Sequence, residues 1–193
     1  YAANGGGCYT GLISVSNETA ILDNIHINDI NIEIEGNSNY YMIGGIIGNT
    51  NSSIIRNCSV SNMNVNSIVE ARDLKVGGIV GNNNSSLMQN SYAQNIEFNI
   101  YNSPTASVGG LAGNGSKIYS SYAVGNIYTD ANYTGGIAGY ANTVENCYSY
   151  VNIESENNKV AGILGHDTNT AQNNIINNLS LGNIYSKSND GNI

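Results

Sequence analysis

The residues able to bind a metal ion or to transfer a proton are few and far apart. The two histidines, His26 and His166, are separated by most of the chain, whereas a zinc-hydrolase helix carries two histidines four positions apart. His166 and Asp167 follow a glycine-rich segment, which indicates a solvated turn. The sequence therefore predicts no catalytic, cofactor-binding or metal-ligating residue.

Glutamates recur on or just after segments of alternating polarity, where they could form an acidic stripe. They are Glu33, Glu35, Glu97, Glu154 and Glu156. Acid–base catalysis needs two close carboxylates with different pKa values, and no basic residue recurs beside these glutamates. A weak calcium site on the stripe is an alternative, but the chain lacks an Asp-x-Asp loop. A solvated strand face explains the stripe more simply, so we predict that the protein is not an enzyme.

The three cysteines, Cys8, Cys58 and Cys147, match no zinc or redox spacing. No Gly-x-Ser-x-Gly elbow occurs that would activate a serine nucleophile. We expect the cysteines to be free thiols that pack as small apolar residues.

Charge and composition exclude two classes of partner. The 193 residues carry a net charge of −8, and the six basic residues are scattered. Nucleic-acid binding needs a clustered basic face, so no nucleic-acid partner is predicted. No apolar run approaches the length of about 18 residues that spans a membrane, so membrane insertion is not predicted either.

A glycine-rich block recurs along the chain and predicts a repeat architecture. The copies share the pattern small-Gly-aliphatic-x-Gly, with an imperfect first copy, and they are Tyr9–Ile13, Gly44–Gly48, Gly77–Gly81, Gly109–Gly113, Gly135–Gly139 and Ala161–Gly165. Successive spacings are 34, 33, 32, 26 and 26 residues. Periods of this length are typical of solenoids.

Each block is followed by two further strand-like segments. In the second copy these are Ile54–Cys58 and the alternating Met63–Asn66, and strict alternation indicates a half-buried strand. Three strands per repeat suit a coil with three faces, and strands one coil apart pair in parallel with a right-handed crossover. We therefore predict an all-β fold: one right-handed parallel β-helix, or β-solenoid, of about six three-sided coils over residues 1–193. The coils start near residues 9, 44, 77, 109, 135 and 161.

Glycine, asparagine and tyrosine each have a predicted place in the coils. Glycine would allow positive φ and close backbone approach at the corners. Asn57, Asn90 and Asn146 fall in one column and would form an amide ladder, unless the 36 asparagines merely reflect codon usage. Tyr92, Tyr122 and Tyr148 fall in a second column, and Tyr128 and Tyr185 in a third. Stacked tyrosines would stabilise the rod or bind a ligand, and the pattern leaves open whether the second column points inward or outward.

The fourth repeat resembles the GLUG motif, a short repeat of secreted bacterial proteins. The resemblance rests on Gly109–Asn114 and on Ile118–Ile127, and it extends more weakly over most of the chain from about residue 40. GLUG repeats occur in surface-exposed adhesin-like proteins and in non-catalytic parts of IgA-specific metallopeptidases. The resemblance thus implies an extracellular or cell-surface location and a display or spacer role.

These observations predict a structural or adhesive repeat module of a secreted or cell-surface protein. One alternative is a filament subunit that stacks head to tail, because no capping element is evident in Tyr1–Gly7 or Ser186–Ile193. Another is the spacer of a larger IgA-peptidase-like metalloprotease, and a β-helix enzyme acting on carbohydrate is the least favoured. A protein or glycan partner would bind the long turns near residues 36–40, 66–75 and 102–107, which carry the extra length of the early repeats.

Overall fold

The computed structural model describes residues 7–16, 18–36, 38–157, 159–167 and 174–187. Every regular element in these ranges is a β-strand, and every strand pair is parallel. The predicted fold class is confirmed: the chain is an all-β parallel β-solenoid. No helix long and apolar enough to cross a membrane occurs in the described ranges.

The strands of successive coils form four parallel sheets, which we name A to D. Sheet A contains β1 (Gly7–Thr10), β5 (Tyr40–Gly44), β9 (Asp73–Gly77), β13 (Ser107–Gly109), β17 (Tyr133–Gly135) and β21 (Val160–Ala161). Sheet B contains β2 (Ile13–Ser16), β6 (Ile47–Asn51), β10 (Val80–Asn84), β14 (Ala112–Asn114), β18 (Ala138–Ala141) and β22 (Leu164–Asp167). Sheet C contains β3 (Ile21–Asp23), β7 (Ile54–Arg56), β11 (Leu87–Gln89), β15 (Lys117–Tyr119), β19 (Thr143–Glu145) and β23 (Asn174–Ile176). Sheet D contains β4 (His26–Ile34), β8 (Ser59–Ser67), β12 (Tyr92–Ile100), β16 (Tyr122–Thr129), β20 (Tyr148–Ser155), β24 (Leu179–Ser180) and β25 (Ile184–Ser186).

Each coil contains four strands, not the three that the sequence predicted. The strand of sheet A, which precedes the glycine pair, was missed. It is short, and in the second coil Tyr41, Met42 and Ile43 are all buried, so the alternation that reveals a strand is weak there. The glycine pair then bends the chain from sheet A into sheet B.

The core consists of inward columns that run from coil to coil. Val65, Phe98, Ile127 and Ile153 are paired in register along sheet D, and each is at most 2% exposed. Each coil therefore covers the apolar face of the coil below it, and a chain with few large aliphatic residues can still bury a continuous core.

The motif glycines allow sheets A and B to approach each other closely at the corner. A Cβ atom on Gly77 would lie 2.3 Å from the carbonyl oxygen of Val80 and 2.6 Å from Cα of Ala112. Among the described glycines only Gly36 and Gly125 have positive φ. Close approach is thus the reason for the motif glycines, and the predicted positive φ at this corner is wrong.

Asparagine provides the positive φ instead, at the corner between sheets C and D. The residues there have φ between 48° and 58°, and they are Asn24, Asn57, Asn90, Ser120, Asn146 and Asn177. This column contains the three residues of the predicted ladder, but Asn57 donates to Asp23 and Asn146 accepts from Asn177. The bond between Asn177 and Asn146 is thus a single amide step in this column, and further amide ladders lie in other columns: Asn82 donates to Asn49, Asn114 to Asn82, and Asn99 to Asn66, at 2.7–2.9 Å.

Candidate binding surfaces

The two histidines lie on different sheets and make packing contacts. Nδ1 of His26 lies 2.7 Å from Oγ of Ser59, and Nε2 lies 3.1 Å from Oδ1 of Asn24. His166 stacks on the ring of Tyr133. Within the described ranges, no group of three or more His, Cys, Asp or Glu side chains is arranged to hold a metal ion.

Glutamates of different coils do not form a carboxylate pair. Glu33 and Glu154 share one outer column of sheet D, but Asn66, Asn99 and Tyr128 lie between them. Four strand spacings correspond to about 19 Å, whereas the two carboxylates of a glycosidase lie within about 10 Å of each other. Glu33 accepts a hydrogen bond from Asn66 at 2.7 Å, and Glu97 lies in a different column, paired with Asn64 and Asn126.

Two of the three thiols are buried inside the coils. Cys58 and Cys147 are at most 2% exposed, whereas Cys8 is exposed. Burial raises the pKa of the Cys147 thiol to about 11 and also raises the pKa of Cys58. Both thiols are therefore protonated at neutral pH, where they pack as apolar groups and are poor nucleophiles.

The long turns between sheets D and A lie on top of one another along one edge of the solenoid. We define the long-turn edge as residues 68–72, 101–106 and 130–132. Oγ of Ser103 donates to the carbonyl of Val69 at 2.5 Å, and Oγ1 of Thr105 donates to the carbonyl of Ala71 at 3.1 Å. Backbone N–H groups of Asn102 and Ser103 donate to the carboxylate of Asp130 at 2.8 and 3.2 Å. These bonds hold neighbouring turns in a fixed relation.

The predicted turn at residues 36–40 belongs to the same edge in part. The backbone N–H of Asp73 donates to the carbonyl of Asn39 at 3.1 Å, and the N–H of Ser38 donates to the hydroxyl of Tyr41 at 2.8 Å. Residue 37 lies outside the described residues.

The long-turn edge has a buried and an exposed side. Val69, Ser103 and Ala106 are buried, so the turns contribute to the core. The side chain of Ile68 is 74% exposed, and a cavity of about 580 Å³ opens nearby. Five of its seven lining residues are polar or charged, and the lining comprises Glu70, Ala71, Arg72, Asn102, Pro104, Thr105 and Asp130. The edge thus presents fixed polar groups and charges of both signs to solvent.

The tyrosine column of sheet D points outward. Ala123 is fully buried, whereas its neighbour Tyr122 is half-buried and Tyr148 is 38% exposed. The rings of Tyr92 and Tyr122 are parallel with centroids 4.8 Å apart, and those of Tyr122 and Tyr148 are 5.2 Å apart. Burial and its two neighbouring rings raise the pKa of Tyr122. Because the faces of these rings cover one another, the column stabilises the stack and offers mainly ring edges to a ligand. Tyr128 and Tyr185 do share a column, with Glu154 between them.

A second aromatic cluster was missed by the sequence analysis. Tyr133 of sheet A lies 5.9 Å from Tyr140 and 4.7 Å from His166, both in sheet B, between ring centroids. Nζ of Lys159 lies 4.8 Å from the Tyr133 centroid. The signal was the recurrence of aromatic residues on both sides of one glycine motif. The cluster forms because the strand before the glycine motif belongs to a separate sheet, which the sequence did not predict.

The comparison with protein families gives one match. Residues 39–66 match the GLUG motif, which confirms the resemblance to GLUG-repeat proteins. The match covers the second repeat, from β5 to β8, and not the fourth, on which the sequence-based resemblance was drawn. No curated protein and no solved structure showed significant similarity to the chain.

Proposed function

We propose that this chain is a non-enzymatic structural and adhesive repeat module of a secreted or cell-surface protein. The GLUG motif and the solenoid are consistent with a repeat module. The observation that carries the adhesive role is the long-turn edge, where stacked turns hold exposed polar and charged groups in fixed positions. A preorganised surface loses little conformational entropy on binding.

The arrangement of the titratable side chains supports a non-enzymatic role. Glu33 and Glu154 are too far apart to act together, and the two histidines lie on separate sheets. The exposed carboxylate of Asp23 is bound by Arg56 at 2.8 Å, and that hydrogen bond lowers the pKa of Asp23. A lowered pKa keeps this carboxylate ionised, so it is a poor general acid.

Bead adhesion tests the proposal. Beads coated with the chain should be retained on an epithelial cell monolayer under flow, and the double variant Ile68→Asp/Arg72→Glu should retain several-fold fewer. Both side chains are exposed, so the variant should fold, which circular dichroism would verify. Deleting whole turns would be a poorer test. Val69 and Ala106 of these turns are buried in the core, so a deletion would also remove core residues.

The matched control is Lys117→Glu, a charge reversal at an exposed position on sheet C. It should leave retention unchanged. Failure of the unmodified chain to retain beads would exclude the adhesive role, and full retention by the double variant would exclude this edge as the binding surface.

A second candidate, a filament subunit, is favoured by apolar residues exposed on the first and last described levels of the stack. Most of the segments predicted to lack a cap, residues 1–6 and 188–193, lie outside the described residues. On the first level Leu12 and Ile21 are 63% and 62% exposed, and on the last level Leu179 and Ile184 are 52% and 45% exposed. The terminal strands of a solenoid are open edges that a further copy can cover. The spacer alternative has no observation of its own in its favour.

A further inference from the structure

A groove between sheets A and B combines aromatic rings with unused hydrogen-bonding groups. One wall is the column Lys75, Ser107 and Tyr133, and the opposite wall is Asn114 and Tyr140. The groove encloses a cavity of about 300 Å³ that is open to solvent, and its lining also includes Asp73 and Thr105. This volume suits a small ligand or one unit of a longer one. The groove is separate from the cavity of the long-turn edge, with which it shares only Thr105.

The ring of Tyr133 is held by contacts with the next coil. His166 stacks on it with an interplanar angle of 8°, and Lys159 approaches it to 4.8 Å. Both residues come from the next coil, whereas the groove residues Lys75, Ser107 and Asn114 come from earlier coils. The next coil therefore holds the ring in place while the ring also lines the groove. This differs from the sheet D column, where each ring covers the next.

The two charged side chains that line the groove, Lys75 and Asp73, carry no net charge together. Nζ of Lys75 binds Oδ2 of Asp73 at 2.6 Å, and these side chains are only 17% and 33% exposed. Asn114 ends the amide ladder: its Nδ2 donates to Asn82 at 2.8 Å, and among the described residues its Oδ1 has no hydrogen-bond donor. An internally paired Lys–Asp couple in a chain of net charge −8 disfavours an anionic ligand. A neutral ligand rich in hydroxyl groups can both donate to Asn114 Oδ1 and accept from Lys75.

An adjoining cavity adds further unused polar groups. It measures about 210 Å³ and shares Asn114 and Tyr140 with the groove. Asn83 lines it and is 1% exposed, yet neither Nδ2 nor Oδ1 of Asn83 has a partner within the described part of the chain. Buried amide groups are normally satisfied by protein, water or ligand. Hydrogen-bonding capacity thus continues past Asn114 and Tyr140 on the same three coils, toward the turn that follows sheet B.

We propose that this groove binds a neutral oligosaccharide, with one sugar ring stacked on Tyr133 and in edge contact with Tyr140, which is inclined to Tyr133 by 47°, and with its hydroxyl groups bonded to Asn114 and Lys75. A pyranose ring has an apolar face that fits a flat aromatic side chain and an edge of hydroxyl groups that fits amide, hydroxyl and ammonium groups. Successive levels of the groove walls lie about 4.8 Å apart and carry different side chains, which suits a short chain of sugar units lying along the rod.

The test is binding of short, linear, neutral oligosaccharides by the intact chain, first on a glycan array and then by isothermal titration calorimetry with the best one. Tyr133→Ala should weaken binding about tenfold, which corresponds to the loss of one aromatic stacking contact of roughly 1.4 kcal/mol. Tyr133→Phe should retain the affinity because the ring remains. Lys75→Met should weaken binding without removing a ring.

The matched control is Tyr122→Ala, which removes a stacked and half-buried tyrosine from sheet D. It should lower the melting temperature but leave oligosaccharide affinity unchanged. Ile68→Asp/Arg72→Glu should also bind oligosaccharide normally, so failure of the adhesive proposal and failure of this one are distinguishable. The proposal is overturned if the array shows no neutral oligosaccharide bound, if only acidic sugars bind, or if Tyr133→Ala binds as tightly as the unmodified chain.

Discussion

At the scale of single residues, asparagine acts in two ways that depend on its place in the coil. At the corner between sheets C and D it takes positive φ, a conformation that its short polar side chain tolerates and that costs other residues about 1–2 kcal/mol. On the outer faces it forms amide ladders between coils, as in Asn49, Asn82 and Asn114. The high asparagine content therefore has a structural basis at these positions.

Asn90 separates the backbone effect from the side-chain effect. Its φ is 50°, and no side-chain hydrogen bond is made by it within the described ranges. Asn90→Ala should therefore lower the free energy of unfolding by about 1 kcal/mol, whereas Asn90→Gly should change it by only a few tenths, because glycine takes positive φ freely. Urea titration followed by circular dichroism measures both variants.

Asn57 provides the comparison, since it has φ of 55° and also donates to Asp23 at 3.0 Å. Asn57→Gly should be destabilising because it removes that hydrogen bond, although it preserves the backbone conformation. If Asn90→Ala proved as stable as Asn90→Gly, positive φ would not be the reason for asparagine at this corner.

At the scale of the elements, the glycine corner is the tightest part of each coil. A Cβ atom on Gly110 would lie 2.2 Å from the carbonyl oxygen of Gly136 and 2.5 Å from Cβ of Ala123. Both atoms belong to packed coils and cannot move independently. We expect Gly110→Ala to lower the free energy of unfolding by about 3 kcal/mol, the upper part of the range for an overpacked core, as measured by thermal and urea unfolding.

Gly115→Ala is the matched control for the corner variant, because it adds the same methyl group five residues later. The new Cβ atom would lie 2.8 Å from Cδ1 of Ile118 and 3.4 Å from Cβ of Ala112. The end of an isoleucine side chain can rotate away, so the loss should be well below that of Gly110→Ala. Equal losses in the two variants would contradict the close-approach explanation of the motif.

The elements that repeat regularly could be predicted from the sequence. Features that depend on packing between adjacent sheets could not. Parallel pairing and the shared column of Tyr92, Tyr122 and Tyr148 could be predicted because equivalent residues recur at fixed offsets, whereas the outward direction of that column could not. The strands of sheet A could not, because they are short and because residues such as Met42 are buried against the adjacent sheet. The groove at Tyr133 and Tyr140 depends on which two sheets meet at the corner, and a single sequence does not show that.

The uneven coil length also has its cause in the elements. In β4, β8 and β12 an extra residue with positive φ interrupts the pairing pattern, and these residues are Asp29, Asn62 and Asn95. The register between β12 and β16 shifts between Gln94 and Ile96, where Gly125 pairs with Ile96 without an equivalent of Asn95. This lost bulge and the shorter turn at residues 130–132 account for part of the fall in spacing from 32 to 26 residues.

At the scale of the whole molecule, stability comes from the stacking of coils, and each level depends on its neighbours. Inner levels have both faces covered, as Phe98 is by Val65 and Ile127. Within the described residues the first and last levels are covered on one side, and Leu12, Ile21, Leu179 and Ile184 are correspondingly exposed. The two ends differ from each other, so copies would contact one another head to tail. Contacts of this kind extend into an open filament unless the copies close into a ring.

Two charge variants test head-to-tail assembly. Leu12→Lys/Ile21→Lys alters the first level, and Leu179→Lys/Ile184→Lys alters the last. If copies stack head to tail, sedimentation velocity should show the unmodified chain growing with concentration and each variant alone remaining monomeric, because every contact needs both ends. An equimolar mixture of the two variants should form dimers and nothing longer, since one intact end remains on each.

Ile68→Lys, at an isoleucine that is 74% exposed on the long-turn edge, is the control and should assemble like the unmodified chain. Monomers at all concentrations of the unmodified chain would exclude the filament candidate. Dimers of a single variant would instead indicate contact between two equivalent ends, which cannot extend into a filament.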